Sequence, residues 1–183
     1  MSLRAAFALC CCLLFIPVAN ADQDDPRLED LFLRLKSATS VDEVFPVENL
    51  IWEIWVEHAD ASINRQMLTG IQQMSNNALP AALATFDRLV QEAPDFAEAW
   101  NKRATIHFMM GNYPASEADI VQTLRLEPFH FGALSGRGLV LLALGQYETA
   151  RNAFSAALEV NPNMPSVKNN IEELNAYLRG STI

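Results

Sequence analysis

Past its first two dozen residues, the chain places apolar side chains at helical spacing almost to its end. Leu28, Leu31, Phe32 and Leu35 predict a short amphipathic helix over residues 27–37, with Pro26 where a first-turn proline is tolerated. Ser37 to Ser40 is a break. Ser40 with Glu43 reads as a capping box opening a second helix from Val41 to His58, which Pro46 is expected to kink or to rob of its first turn. Leu50, Ile51, Trp52, Ile54, Trp55 and Val56 make that helix apolar over most of its circumference, so it must be covered. From residue 63 the pattern becomes paired helices. The central pair is predicted at Ala97–Met110 and Pro114–Leu126, with Gly111-Asn112-Tyr113 as the turn and Pro128 as the stop. Pro165 opens a last helix, ended by Gly180. One face carries Val167, Ile171, Leu174, Tyr177 and Leu178, and the other Lys168, Asn169, Asn170, Glu172 and Glu173.

These pairs repeat at a fixed interval. Pro94, Pro128 and Pro162 lie 34 residues apart, as do Gly111 and Gly145, Tyr113 and Tyr147, and Phe86, Ile120 and Phe154. A constant period of this size is the signature of a solenoid of helix–turn–helix units, each unable to bury its apolar face alone. The fold class is therefore all-α. Units fall at 63–96, 97–130 and 131–164. Residues 165–183 serve as a C-terminal capping helix. Shifting the frame back one unit aligns Phe32 with Gln66 and Trp100, and Trp52 with Phe86 and Ile120. Residues 22–62 then read as an N-terminal helical hairpin, a degenerate repeat acting as a cap. Core packing is the ordinary role for Trp52 and Trp55, and an exposed partner site the alternative.

The units resemble tetratricopeptide repeats. The third carries that family's pattern at Leu134, Gly138, Gly145, Tyr147, Ala150, Phe154, Ala157 and Pro162. The central one offers Trp100, Ala104, Gly111, Tyr113, Ser116, Ile120, Thr123 and Pro128. The first keeps Gly70, Ala82, Phe86 and Pro94 but departs at Gln66, Asn77, Leu79 and Leu89, so its first helix is expected to sit differently. The resemblance implies a right-handed solenoid in which small residues let paired helices approach and large ones fill the gaps between units. Trp100, Tyr113, Tyr147 and Phe154 are structural on this reading, and removing the Trp100 ring is expected to cost about 3–5 kcal/mol.

The resemblance also implies where partners bind. First helices line the concave face, and the groove is read at Asn64, Met67, Ile71, Met74 and Ser75, at Glu98, Asn101, Thr105, Phe108 and Met109, and at Gly132, Ser135, Leu139, Leu142 and Ala143. That surface is mostly apolar and rich in adaptable methionine, which suits an apolar or amphipathic peptide or helix. The competing occupant is the chain's own N-terminal pair of helices. Some family members clamp a partner's C-terminal carboxylate with lysine, asparagine and arginine. The matching positions here are Met67, Ile71, Lys102, Gly132 and Gly136, with one base among them, so that mode is not expected.

Composition narrows the function further. The chain has 183 residues and a formal net charge of −9, with 22 acids against 13 bases. An acidic surface disfavours nucleic acid and anionic lipid. His58, His107 and His130 are scattered, without metal-ligand spacing on one helix, and Gly136-Arg137-Gly138 lies inside a repeat helix rather than after a strand. No catalytic set, cofactor motif or small-molecule site is read, and none is expected.

Residues 1–21 have the three-part layout of an export signal. Arg4 is the positive start, Ala5 to Val18 the apolar run, and Ala19-Asn20-Ala21 the small-x-small cleavage site. An uncleaved anchor and a lipoprotein, prompted by Cys10, Cys11 and Cys12, are the alternatives, and only these would bring the protein to a membrane. The chain after residue 21 has no cysteine. Together these features predict an exported, periplasmic adaptor or scaffold that binds a protein or peptide in its groove. Related alternatives are a self-associating module with Trp52 and Trp55 as interface, or a lipid-anchored factor in envelope assembly or cytochrome maturation.

Overall fold

A computed structural model describes residue 23 and residues 25–180. The stretch expected to act as an export signal, its expected cleavage site and the three cysteines lie outside these residues. Among the described residues there are nine helices and no strand: α1 Arg27–Ser37, α2 Val41–Val56, α3 Ala61–Ser75, α4 Leu79–Glu92, α5 Ala97–Met109, α6 Tyr113–Leu126, α7 Phe131–Ala143, α8 Tyr147–Val160 and α9 Pro165–Gly180. Helices α3–α4, α5–α6 and α7–α8 are the three units of a helical solenoid, stacked in order, with α9 packed on α8.

Each unit is closed by the same turn. The residues at the fifteenth position, Asn77, Gly111 and Gly145, all adopt left-handed backbone, with φ of 56°, 76° and 73°. In each, two backbone bonds close the helix end in a Schellman motif, as in Asn112 N–H to His107 O at 2.8 Å and Gly111 N–H to Phe108 O at 3.0 Å. Asn77, a departure from the repeat pattern, thus makes the turn that glycine makes elsewhere, because asparagine tolerates this region better than most residues. The first unit keeps the regular geometry in spite of its sequence.

Inside a unit the two helices interlock by size. A Cβ at Gly138 would overlap the Phe154 ring, and one at Gly70 would stand 2.5 Å from Phe86. Both rings are fully buried. Where the central unit has Ile120 instead of phenylalanine, Ala104 replaces the glycine and both are buried. Between units, the Arg103 guanidinium donates to Asp119 at 2.7 and 2.8 Å and to Asp87 at 3.0 Å, tying α4, α5 and α6 together. The hydrogen bonds to Asp119, against some desolvation, hold Arg103 above the usual arginine range.

Several sequence expectations shift. Helix α2 runs unbroken through Pro46. Ser40 makes no side-chain cap; Glu43 accepts from Thr39 N–H at 2.8 Å and the Thr39 hydroxyl at 3.2 Å, so the reach-back ends one residue earlier than in a capping box. Trp100 is only half-buried. Its Nε1–H donates to Pro94 O at 3.0 Å and Arg103 lies 4.9 Å from the ring. Its loss therefore costs less than the roughly 3–5 kcal/mol expected of an enclosed ring. The hairpin α1–α2 does not stack beneath the first unit as one more repeat. Its apolar face packs with Phe131, Val160 and Met164 of the third unit.

The interlock makes an opposite pair of glycine predictions. Gly138→Ala forces the Phe154 ring to move and should lower stability by about 1–3 kcal/mol. Gly136→Ala, whose Cβ would meet only Ile120 at 4.0 Å, should raise it by about 0.5–1 kcal/mol through reduced backbone entropy. Urea unfolding of the two variants beside the parent checks both signs.

Candidate functional site

The first helices α3, α5 and α7 carry the predicted groove, and the hairpin divides it. Apolar α2 needs a cover and finds it on the first turns of α5 and α7. Trp55 is buried and stacks on the His130 ring at 3.9 Å and 12°. Trp52 meets Phe131 edge-on at 5.4 Å, and Gly132 leaves room for it: a Cβ there would lie 2.6 Å from the indole. Leu28, Leu31 and Leu35 of α1 complete the cluster. Asn163 donates to the Ala38 carbonyl at 3.1 Å, and Asn161 donates to Glu48, so the loop before α9 holds the hairpin's other end. Gln23 ties the chain's entry to α5 by accepting from Ala97 N–H at 3.2 Å and donating to Asp95 O at 2.8 Å.

Under the two tryptophans lies a closed polar cluster. Glu98, 1% exposed, accepts from His130 Nε2–H at 2.8 Å and from Asn101 Nδ2 at 2.7 Å, and pairs with Lys102 Nζ at 2.7 Å. His130 caps α7: its Nδ1 accepts from Ala133 N–H at 3.1 Å, which leaves Nε2–H to donate to Glu98. Lys102 also lies 5.2 Å from the Trp52 ring, a cation–π contact. Burial opposes the charged form of Glu98, but the Lys102 charge and the His130 hydrogen bond outweigh it and hold the carboxyl at about 2.

The predicted groove residues separate accordingly. Met67 is buried in the first unit's core, and Ile71 and Met74 pack against that core. Glu98 and Asn101 are buried beneath the hairpin. Met67 and Glu98 therefore offer no open surface, and Asn101 reaches only the wall of the small cleft between α5 and α7, a correction that follows from the hairpin's seat and from the width of the first unit's core. Asn64 is spent on the α2–α3 loop, where its Oδ1 accepts from His58 N–H at 2.7 Å. What stays open is the far end of α5 and α7: Thr105 is exposed, Met109 is 50% and Leu139 38% exposed, and Phe108, Ser135 and Leu142 are half-buried. Thr105, Phe108, Gly136 and Leu139 line a cleft of about 90 Å³ there. Sequence reading passed over His130, which stands at a unit boundary outside any helix-face pattern. Its signal was its place immediately before α7, where a side-chain acceptor caps.

Comparison with known proteins matches this geometry. The tetratricopeptide repeat family model covers residues 70–120 and 101–165. A TPR repeat-containing protein of Rhizobium etli is 35% identical over 155 residues, 85% of this chain and 76% of that protein. The chain belongs to the tetratricopeptide repeat family. DnaJ homolog subfamily C member 3 of Homo sapiens is 28% identical over 123 residues, and the match spans 24% of that longer protein. The first repeat domain of Spaghetti (RPAP3), solved with the HSP90 peptide SRMEEVD, shares the fold with a TM-score of 0.63 at 20% identity, over 66% of this chain and 96% of that one.

Because Glu98 is held near 2 in the fold against an ordinary 4.5, its charge stabilises the protein above about pH 4.5, and that stability is lost as pH falls through 2. Glu98→Gln should cost a few kcal/mol at pH 7, because each tenfold change in proton affinity corresponds to about 1.4 kcal/mol. The gap to the parent should narrow steadily as the pH is lowered from about 5 to about 3. Urea unfolding across that range checks the trend.

Proposed function

We propose that this protein is a non-enzymatic adaptor that seats an apolar or amphipathic peptide or helix of a protein partner at the open end of its first-helix face. The observation that carries the reading is exposed Leu139 and half-buried Phe108 lining a ready cleft, with exposed Met109 and half-buried Leu142 on the same two helices. Membership of the repeat family supports the reading, as does the HSP90 peptide bound by the Spaghetti domain. The mode differs from capture of a C-terminal carboxylate. The one base at the matching positions, Lys102, is already paired with Glu98 at 2.7 Å. Self-association through Trp52 and Trp55 is disfavoured, since Trp55 is buried and Trp52 packs on Phe131 inside the same chain. The setting we propose is the periplasm, supported by the signal layout of residues 1–21 and the cysteine-free chain that follows.

A photo-crosslinking residue placed at Phe108 should trap a discrete protein partner in the source cell. The same residue at Glu148, exposed on α8, should not. Equal trapping at both positions, or at Glu148 alone, contradicts the proposal.

A further inference from the structure

A second cleft, of about 750 Å³, lies away from the first-helix face, between α1, the loop joining α6 to α7, and the end of α8. Its floor is apolar: Leu28, Phe32 and Val160, with the Phe32 and Phe129 rings 5.9 Å apart and tilted by 53°. Two large apolar side chains stand out into water at its mouth, Leu33 at 65% and Phe129 at 58% exposure. Leu33 lies off the stripe that docks α1, and Phe129 stays mostly exposed although one side of its ring meets Phe32. Side chains of this size exposed around a concavity mark an interaction site more often than scattered single ones do.

The charges around the cleft choose the occupant. Four carboxylates line it, from Asp25, Glu29, Glu127 and Glu159, against one ammonium, from Lys36. Asp25 is tied to Arg27 at 2.8 Å, and Glu127 turns inward to accept from Phe129 N–H. Glu29 and Glu159 are exposed, on opposite walls. An acidic partner would be repelled here, in a chain that is acidic overall. We propose that this cleft is a second docking site, taking a basic amphipathic peptide segment. Its bulky apolar side chains pack against the paired Phe32 and Phe129 rings and Leu33, and its lysines or arginines reach Glu29 and Glu159. The site exists only while the hairpin is docked, because α1 forms one wall and the solenoid the other. It is separate from the groove proposed above.

The test is titration of the ¹⁵N-labelled protein with the amphipathic peptide LKKLLKKLLKKL and with its counterpart carrying glutamate in place of every lysine. The basic peptide should shift the amides of Leu33, Phe129 and Val160, and the acidic one should not. Phe129→Glu and the double variant Glu29→Lys with Glu159→Lys, both at exposed positions, should weaken binding at least tenfold with unchanged melting temperature. Phe108→Glu, in the other groove, should leave it unchanged. Shifts centred on Phe108 and Leu139, equal binding of the acidic peptide, or a dimer that seals the cleft and dissociates on Phe129→Glu would each overturn the proposal.

Discussion

The contact on which the functional surface depends is the docking of α2 on the first turns of α5 and α7. An apolar helix must leave water. Here it does so over a carboxylate whose one oxygen accepts from His130 and Asn101 and whose other is ion-paired with Lys102. Trp55 closes the cluster by stacking on His130. Removing any partner leaves Glu98 as a buried charge with fewer counterparts, which is costly. The hairpin is thus seated by shape and by charge together. Its seat decides which predicted groove positions are surface and which are core.

The solenoid beneath it rests on a simpler constraint. Gly138 and Gly70 admit the Phe154 and Phe86 rings, and Ala104 admits the smaller Ile120. From unit to unit the pairing of hole and knob is kept in volume rather than in identity. The turn obeys the same logic, since Asn77 supplies the left-handed backbone that glycine supplies in the other units. Departures from a repeat pattern can therefore leave geometry untouched when they satisfy the same steric condition.

Much of the fold was legible because the period of 34 residues fixes both helix pairing and stacking order, and helix ends fell within a residue or two of expectation. The seat of the hairpin was not legible. A helix apolar all round, such as α2, announces that it must be covered and says nothing of by what. Aligning Trp52 with Phe86 assumed a stacking neighbour that the chain does not use. Of the groove, Thr105, Phe108, Met109 and Leu139 were placed on an open face, while Met67, Glu98 and Asn101 went to the interior for reasons of tertiary packing. Phe129 and Leu33 carry no periodic signal, and only the fold brings them to one cleft.

Native-state hydrogen exchange of the α2 amides tests the central claim most directly, because protection reports whether a helix shares in the global stability or opens by itself. The account predicts that the amides of Ile51 to Val56 exchange as slowly as those of Ala104 and Ile106 in α5. Exchange at rates close to those of an unstructured peptide, while α5 stays protected, would contradict it.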